Sequence, residues 1–464
     1  MENIEFTASQ IAEICGGKLL KGEDCVIRSV CIDNRKVSEG DLFVALIGET
    51  HDAHKFVASA IQNGASAALV SSEEIGDTGN ASIIKVDDTL LALQKLAHAR
   101  RNMLKSYFVA VTGSNGKTTT RSMITHILSG FHKCSTTSGN LNNHIGLPIT
   151  IMSIKPDSEY SVLEMGMNHP GEIRTLCNIA TPDAAIISNV GPAHIGILGS
   201  LENIAKAKSE ILEQLKPGSP AVIPGDSEYI DLLKKVAEKA DFSTFGENEG
   251  NDYRITELNM KADSVDFEFV TPVGTKKVQL GLAGHHNAFN AAAALAICHK
   301  VGIDLDKAIE RLKSFAPVGA RMEKIEQNGV DVLLDCYNAN PASMQEALRY
   351  LSICKGKKIA VLGDMRELGA MSVELHRKLG EQAAAARLDM LFCVGEAVKD
   401  TADAAIDKGM NPESVILLNS CEDTADLLKG QMKKGVTVLF KASRGMHFEK
   451  IVHQLWPSIK MDLH

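Results

Sequence analysis

The stretch Tyr107-Phe108-Val109-Ala110-Val111-Thr112-Gly113-Ser114-Asn115-Gly116-Lys117-Thr118-Thr119 decides the fold class of this chain. An apolar run ends in a turn of small residues. Gly-Lys-Thr then opens a segment with Met123, Ile124, Ile127 and Leu128 at helical spacing. Strand, loop and helix in that order make a phosphate-binding loop. Its backbone N–H groups, from Gly113 through Thr119, point at an anion, and the dipole of the helix adds to the attraction. Lys117 is expected to reach the β- and γ-phosphates, and the Thr118 hydroxyl to ligate Mg²⁺. The fullest form of the pattern has glycine six residues before the lysine, where this chain has Val111. The plain alternative is a glycine turn between a strand and a helix, and a lysine followed by threonines argues against it. The motif predicts a nucleoside triphosphate site.

At 464 residues the chain is too long for one ordinary core, and two to four domains are expected. Its 44% hydrophobic and 23% charged residues suit a soluble globular protein. A formal net charge of −9 argues against a nucleic-acid partner. The opening Met1-Glu2-Asn3-Ile4-Glu5-Phe6 does not resemble a signal peptide, and no apolar run approaches the ~20 residues that cross a bilayer. No membrane insertion is expected, and the cytoplasm is the natural compartment. The ten cysteines form no Cys-x-x-Cys pair, so neither a zinc site nor a disulfide framework is suggested. Cys298 and Cys393 sit in apolar runs as packing residues.

Three regions follow one another, all of mixed α/β character. Residues 1–84 read as a small α/β unit, with strands at 26–32, 41–47 and 67–71. Residues 85–314 open with an amphipathic helix at 89–103 and contain the phosphate loop. The short apolar runs 160–163 and 184–188 fit buried strands of a mainly parallel sheet with ligand groups at their carboxyl ends. Between 241 and 277 the alternation of Val265, Phe267 and Phe269 suggests an antiparallel meander. Residues 315–464 alternate strands (330–334, 358–362, 390–394, 415–418, 436–440) with helices, as a doubly wound, Rossmann-like domain does. The Gly-x-Gly-x-x-Gly of dinucleotide sites does not occur there.

Polar clusters fall at the ends of these strands. Glu164 closes the apolar Val162-Leu163 and is placed for a Mg²⁺ ion on ATP, which needs hard oxygen ligands; a solvated strand-end carboxylate is the alternative. Asn168-His169-Pro170-Gly171-Glu172 follows, a loop rich in polar side chains of the kind that holds ligands. His194 ends Ser188-Asn189-Val190-Gly191-Pro192-Ala193 and reads equally as a core histidine bonded to a carbonyl. Lys206 and Lys208 lie on a helix, where lysines are usually solvated. Asn287 and Asn290 share one helix face among alanines and suit the donor–acceptor edge of adenine, with helix capping the alternative for Asn287. Arg321, in Gly319-Ala320-Arg321-Met322-Glu323, can clamp phosphates. Asp335-Cys336-Tyr337-Asn338-Ala339-Asn340-Pro341 marks a crevice, and Gly363-Asp364-Met365-Arg366-Glu367-Leu368-Gly369 is either a third such loop or a turn with a helix cap.

Taken together these strings resemble the ATP-dependent Mur ligase superfamily along essentially the whole chain. Within it they are similar to the branch that joins D-alanyl-D-alanine to a UDP-N-acetylmuramoyl-tripeptide. Gly-Lys-Thr-Thr, Glu164, the His194 region, Lys208 and the Asn287–Asn290 pair carry the superfamily likeness. Gly139-Asn140-Leu141-Asn142-Asn143, the 165–173 loop, the 335–341 loop and the 363–369 loop carry the branch likeness. Asp33-Asn34-Arg35, followed by Gly40-Asp41-Leu42-Phe43-Val44-Ala45-Leu46, looks like the uridine-binding unit of that branch. Two departures stand out. Asn34 replaces the usual serine beside the arginine, which touches the uridine contacts. His144 replaces an acidic residue, which touches substrate preference.

The resemblance implies three domains: a UDP-substrate unit (1–84), an ATP unit (85–314) and a Rossmann-like ligase unit (315–464). It implies that a peptide carboxylate attacks the γ-phosphoryl group of ATP, and that the amine of D-alanyl-D-alanine displaces phosphate from the acyl phosphate. Lys117 and Thr118 with one Mg²⁺, and Glu164 with His194 on a second, would supply charge neutralisation, with Lys208 carbamylated as a further metal ligand. Asn287 and Asn290 would hold adenine, and Arg321 and Asp335 would close over ATP. Asp33, Asn34, Arg35, Thr137, Asn140, Asn142, Asn143, Asn168, His169, Asn338 and Asn340 would contact the peptide substrates. A monomer is expected. The alternatives are a folylpolyglutamate or other muramyl ligase, a phosphate-loop ATPase switch, and a non-catalytic sugar-nucleotide module. Asn140–Asn143 and the uridine-type unit argue against the first, the strand-end Asn clusters against the second, and Lys117 with Glu164 against the third.

Overall fold

Three large sheets and a two-stranded ribbon organise the chain, and the computed structural model describes residues 6–48, 50–261, 263–316 and 322–459. The first sheet has five strands in the order Lys18–Lys21, Ser82–Lys85, Ala67–Val70, Asp41–Val44, Ser29–Cys31, parallel except for its first pair. The segment 26–32, expected as one strand, is split. Val26–Ile27 pairs with Phe6–Thr7, while Ser29–Cys31 joins the sheet. Arg28 breaks the run, its N–H donating to the Gly40 carbonyl at 2.9 Å. Thr89–Met103 is helical as read, and Asp88 caps it by accepting the N–H groups of Leu90 and Leu91.

The central sheet has nine strands with Tyr107–Thr112 deep inside it, between Ala184–Ile187 and Tyr160–Glu164. Both neighbours are parallel to it, and the register sets Glu164 beside Val111 and Ile187 beside Thr112. From Tyr107–Thr112 the chain passes out to Cys134–Thr136, back to Tyr160–Glu164, and across to Ala184–Ile187. That reversal opens a crevice at the carboxyl ends, where ligands bind in such sheets. The helix Lys117–Leu128 buries Met123, Ile124, Ile127 and Leu128, each worth ~1.5–3 kcal/mol when fully removed from water. Against it packs His285–Lys300, whose alanines let the two backbones approach.

The stretch 241–277 corrects one expectation. Asp241–Gly246 runs parallel to Pro220–Pro224 and to Tyr253–Met260, and antiparallel pairing begins only between Tyr253–Met260 and Val265–Thr271. Alternation reports which face is buried, and Val265, Phe267 and Phe269 are indeed inside, but it does not report strand direction. The last sheet has six strands. Val330–Leu334, Val436–Lys441, Lys357–Gly363, Met390–Val394 and Val415–Leu418 are parallel, and Glu323–Gln327 adds an antiparallel edge. Among the described residues no helix is long and apolar enough to cross a membrane.

Candidate active site

The carboxyl ends of the central and last sheets face one cavity of about 840 Å³. The phosphate loop forms its floor. Gly116 caps the helix with φ +75°, and a Cβ there would overlap Asn290 Oδ1. Gly113 is likewise closed to any side chain by Ser188 Oγ. Ser188 and Asn189, from the adjacent strand end, hold the loop in shape. Ser188 Oγ donates to the Asn115 carbonyl (2.6 Å), and the Asn115 N–H donates to Asn189 Oδ1 (2.8 Å). Ser114 Oγ bonds Gly191 in both directions. Lys117 folds back over the loop, its Nζ donating to the Gly113 carbonyl at 2.8 Å. Lys117, Thr118 and Thr119 all line the cavity.

Glu164 is buried at the centre of a polar knot. Its Oε2 accepts from Thr118 Oγ1 (2.7 Å), its Oε1 accepts from Asn142 Nδ2 (2.7 Å), and Arg121 stands 3.7 Å away. Its own N–H donates to Thr137 Oγ1 at 3.0 Å, while the Thr137 carbonyl accepts from Arg121 at 2.6 Å. The structure thus places Thr137 behind Glu164 as a support, away from the cavity wall. Hard oxygen atoms of a carboxylate and a hydroxyl, side by side, suit Mg²⁺. Among the described residues no three His, Cys, Asp or Glu side chains converge as a metal cage.

His194 lines the same cavity as Glu164 and Lys117. It has left-handed backbone, φ 58°, and its Nδ1 lies 2.5 Å from Glu367 of the last sheet. Lys206 and Lys208 part company on the helix Leu201–Glu213. Lys206 is exposed and 2.7 Å from Glu202, whereas Lys208 is fully buried. Burial, with Lys117 nearby as a second positive charge, pushes the Lys208 amine well below its ordinary pKa.

Asn287 and Asn290 line the cavity as expected of one helix face. Asn287 donates to the Ala283 carbonyl (2.7 Å), and Asn290 Oδ1 accepts from Thr120 of the phosphate-loop helix (3.3 Å). Asn140, Asn143, His144, Asn168, Asn338 and Asn340 are also cavity residues. Asn143 caps its own loop through the N–H groups of Ile145 and Gly146, and Asn340 Nδ2 reaches Asn115 Oδ1 at 2.5 Å across the two sheets. His169 is exposed and outside the cavity wall. Asp33, Asn34 and Arg35 lie on the first unit, also outside the wall. Arg35 forks onto both Asp33 oxygens at 2.8 Å, and its hydrogen bonds hold that carboxyl down at about 2. Arg321 lies outside the described residues.

Sequence reasoning missed Arg121 and Lys441, and gave Glu367 only as a member of the 363–369 loop with no role of its own. Lys441 is buried on the cavity wall, its Nζ 2.6 Å from Asp335. A lysine ending the apolar run Val436–Phe440 was its signal, and Arg121 sits one turn beyond Lys117.

Comparison with known proteins agrees with this geometry. Three family models match in succession: Mur ligase family, catalytic domain, over residues 26–107; Mur ligase middle domain, over 111–298; and Mur ligase, glutamate ligase domain, over 320–444. The chain is 37% identical to the UDP-N-acetylmuramoyl-tripeptide–D-alanyl-D-alanine ligase of Bacillus subtilis, over 97% of this chain and 98% of that one. It superposes on a crystal structure of MurF from Acinetobacter baumannii with TM-score 0.89 and 32% identity, covering 98% of this chain and 99% of the other. MurF from Thermotoga maritima, in complex with ADP, gives TM-score 0.81 and 33% identity over 92% and 96% of the two chains.

Proposed function

The chain belongs to the Mur ligase family, and on that premise we propose that it is the ATP-dependent ligase joining D-alanyl-D-alanine to UDP-N-acetylmuramoyl-tripeptide in peptidoglycan precursor synthesis. The observation that carries the reading is the single cavity in which the phosphate loop, the Thr118–Glu164 pair and the strand-end loops of the last sheet meet. ATP activates the peptide carboxylate, which is by itself a poor acyl donor. A carboxylate oxygen attacks the γ-phosphorus, the bond to ADP breaks, and an acyl phosphate forms. The dipeptide amine then attacks the acyl carbon, the tetrahedral intermediate expels phosphate, and the amine proton is lost.

The first step brings two anions together, so the protein must neutralise and position charge. Backbone N–H groups of 113–119 and the helix dipole take the phosphates, and Lys117 swings from its loop carbonyls onto the β- and γ-phosphates. Asn287 and Asn290 hold the adenine edge, with Asn290 also buttressing Gly116. Asp335 and Arg321 close over the nucleotide from the last unit. Mg²⁺, when bound, spreads the negative charge of the transferring phosphoryl group. Thr118 and Glu164 would hold one ion, and His194, Glu164 and a carbamylated Lys208 a second. The buried, proton-poor amine of Lys208 is the form that reacts with CO₂, which supports the carbamate. Asp33, Asn34 and Arg35 take the uridine end, and Asn140, Asn142, Asn143, Asn168, His169, Asn338 and Asn340 the peptide portions, with residues 1–84, 85–314 and 315–464 as the three working units. The reading includes a monomer that works in the cytoplasm, where ATP and a nucleotide-linked precursor are at hand.

The test is ADP release by the purified protein with each substrate omitted in turn, using both the lysine and the diaminopimelate tripeptide. Release that needs ATP, UDP-tripeptide and D-alanyl-D-alanine together is the expected result. Hydrolysis indifferent to both peptides would overturn the ligase and favour a phosphate-loop ATPase.

A further inference from the structure

The loop 363–369, which carries Glu367 to His194, rests on a histidine that none of the steps above employs. His376 is fully buried on the helix Ser372–Ala385, and both of its ring nitrogens are spent on the main chain. Nε2 lies 3.1 Å from the Met365 nitrogen, whose N–H can only donate. Nδ1 lies 2.8 Å from the Ser372 carbonyl, which can only accept, and 3.3 Å from the Ser372 hydroxyl. Fixed polarity on both sides leaves one assignment, a neutral ring with its proton on Nδ1 and a bare, accepting Nε2. The helix is held in turn from behind, where Thr401 Oγ1 donates to the His376 carbonyl at 2.9 Å. The next N–H along the loop, that of Arg366, donates to Ser443 Oγ at 2.9 Å. Two consecutive N–H groups are thus caught. Glu367 follows them in a left-handed conformation, φ 65°, which a residue with a Cβ keeps only where its surroundings hold it. Its carboxylate then stands 2.5 Å from His194 Nδ1, and His194 lines the main cavity.

We propose that His376 is a positioning residue of the active site: by accepting the Met365 N–H it sets the loop that holds Glu367 against His194. This role rests on the ligase reading above. His376 is not on the wall of the main cavity, so it acts only through the loop. Met365 is buried, and without an acceptor on the ring its N–H has neither protein nor bulk water to bond. The loop then turns to satisfy that donor, and a turn of the Met365 peptide carries Glu367, two residues on, away from His194. A histidine that merely filled the core would need no particular atom at Nε2. The Met365 contact needs an acceptor there and nowhere else.

Two amide side chains separate the roles of the ring nitrogens. A glutamine amide reaches the position of Nε2, and an asparagine amide only that of Nδ1. His376→Gln should therefore keep an acceptor for Met365 and stay within about threefold of the wild-type kcat. His376→Asn should lower kcat by ~10-fold or more, the scale of one unsatisfied buried N–H, with the KM for ATP within about twofold. Added to Glu367→Ala, His376→Asn should cost little more, because both changes release the same contact. In the wild type, nitrogen NMR spectra of isotope-labelled histidine should show a neutral His376 ring protonated at Nδ1, with His376→Gln identifying the signal. A glutamine variant no faster than the asparagine variant, or losses that multiply with that of Glu367→Ala, overturns the proposal in favour of packing alone. So does a ring protonated at Nε2, a result that decides even where His376→Asn does not fold. A wild type whose ADP release ignores the peptides overturns instead the ligase reading, while the ring spectrum still judges the hold of His376 on Met365.

Discussion

His194 Nδ1 and Glu367 Oε2 stand 2.5 Å apart, joining a loop of the central unit to a loop of the last. The close contact with His194 holds the Glu367 carboxyl below its ordinary range, and the Gly196 N–H donates to the Glu367 carbonyl at 2.9 Å. Both residues are left-handed, φ 58° and 65°, so each loop is bent to present its side chain to the other. With Nδ1 facing that carboxylate, Nε2 is the nitrogen left for a ligand. Glu367→Ala should lower kcat by ~10-fold or more with little change in the KM for ATP, and Glu367→Gln should fall less. Small-angle scattering of wild type with an ATP analogue and UDP-tripeptide should show compaction that Glu367→Ala weakens. Unchanged kinetics in Glu367→Ala would refute the coupling.

Lys117 is the cation best placed to follow the migrating phosphoryl group. Lys117→Ala should cost at least ~10²-fold in kcat while leaving the fold intact, since the side chain lies over its own loop and donates to the Gly113 and Ser114 carbonyls. Steady-state rates beside a circular dichroism melt check both halves. A folded variant with a near-normal rate would remove the lysine from the mechanism.

Gly116 combines φ +75° with direct contact on Asn290. Gly116→Ala therefore meets both backbone strain and a clash, and ADP affinity should fall by ~10-fold or more. Asn290→Ala, which loses an adenine contact but leaves the loop unstrained, should lower affinity less. Calorimetric titration with ADP reads both, and full affinity in Gly116→Ala contradicts the close packing.

Lys208 gives a pH prediction with a definite sign. Its folded pKa lies well below the ordinary 10.5 because it is buried near Lys117. From that lowered value up to about 10.5 the unfolded chain holds a proton that the native chain lacks, so this group destabilises the fold at neutral pH and the penalty fades as pH rises. In bicarbonate-free buffer, Lys208→Met should gain stability over wild type at pH 7.5, and the gain should shrink by pH 9.5; urea denaturation at the two values measures it. Lys208→Ala should be nearly inactive and partly restored by formate or acetate, whereas Lys206→Ala, which loses only a surface pair with Glu202, should work normally. Full activity of Lys208→Ala without added acid excludes the carbamate.

What could be read from the chain alone was whatever a local pattern encodes. The phosphate loop, the buried face of Lys117–Leu128, the capped helix Thr89–Met103 and the parallel core of the last sheet all follow from periodicity and small-residue turns. The Asn328-Gly329 turn was passed over in the sequence: both residues have positive φ, and they turn the edge strand Glu323–Gln327 back onto Val330–Leu334. Partners distant in sequence were not legible. Nothing near Glu367 in the chain announces His194, and nothing near Thr137 shows that its hydroxyl anchors the Glu164 N–H. Lys206 and Lys208 look alike in sequence, and only the packing of their helix makes one a surface charge and the other a buried amine.

Asp335 and Lys441 are register neighbours at the ends of adjacent strands, so their ion pair belongs wholly to the last unit. Were that unit to swing away, the Asp335–Lys441 pair would travel with it intact. Opening would part Asn115–Asn340, His194–Glu367, His286–Glu346 and Gly196–Glu367, each worth only ~1 kcal/mol net because water replaces the lost partner. Opening these contacts costs a few kcal/mol, well within the binding free energy of one micromolar ligand, about 8 kcal/mol. The strongest buried ion pair lies to one side of the hinge line, and substrates rather than the protein decide how long the two units stay together.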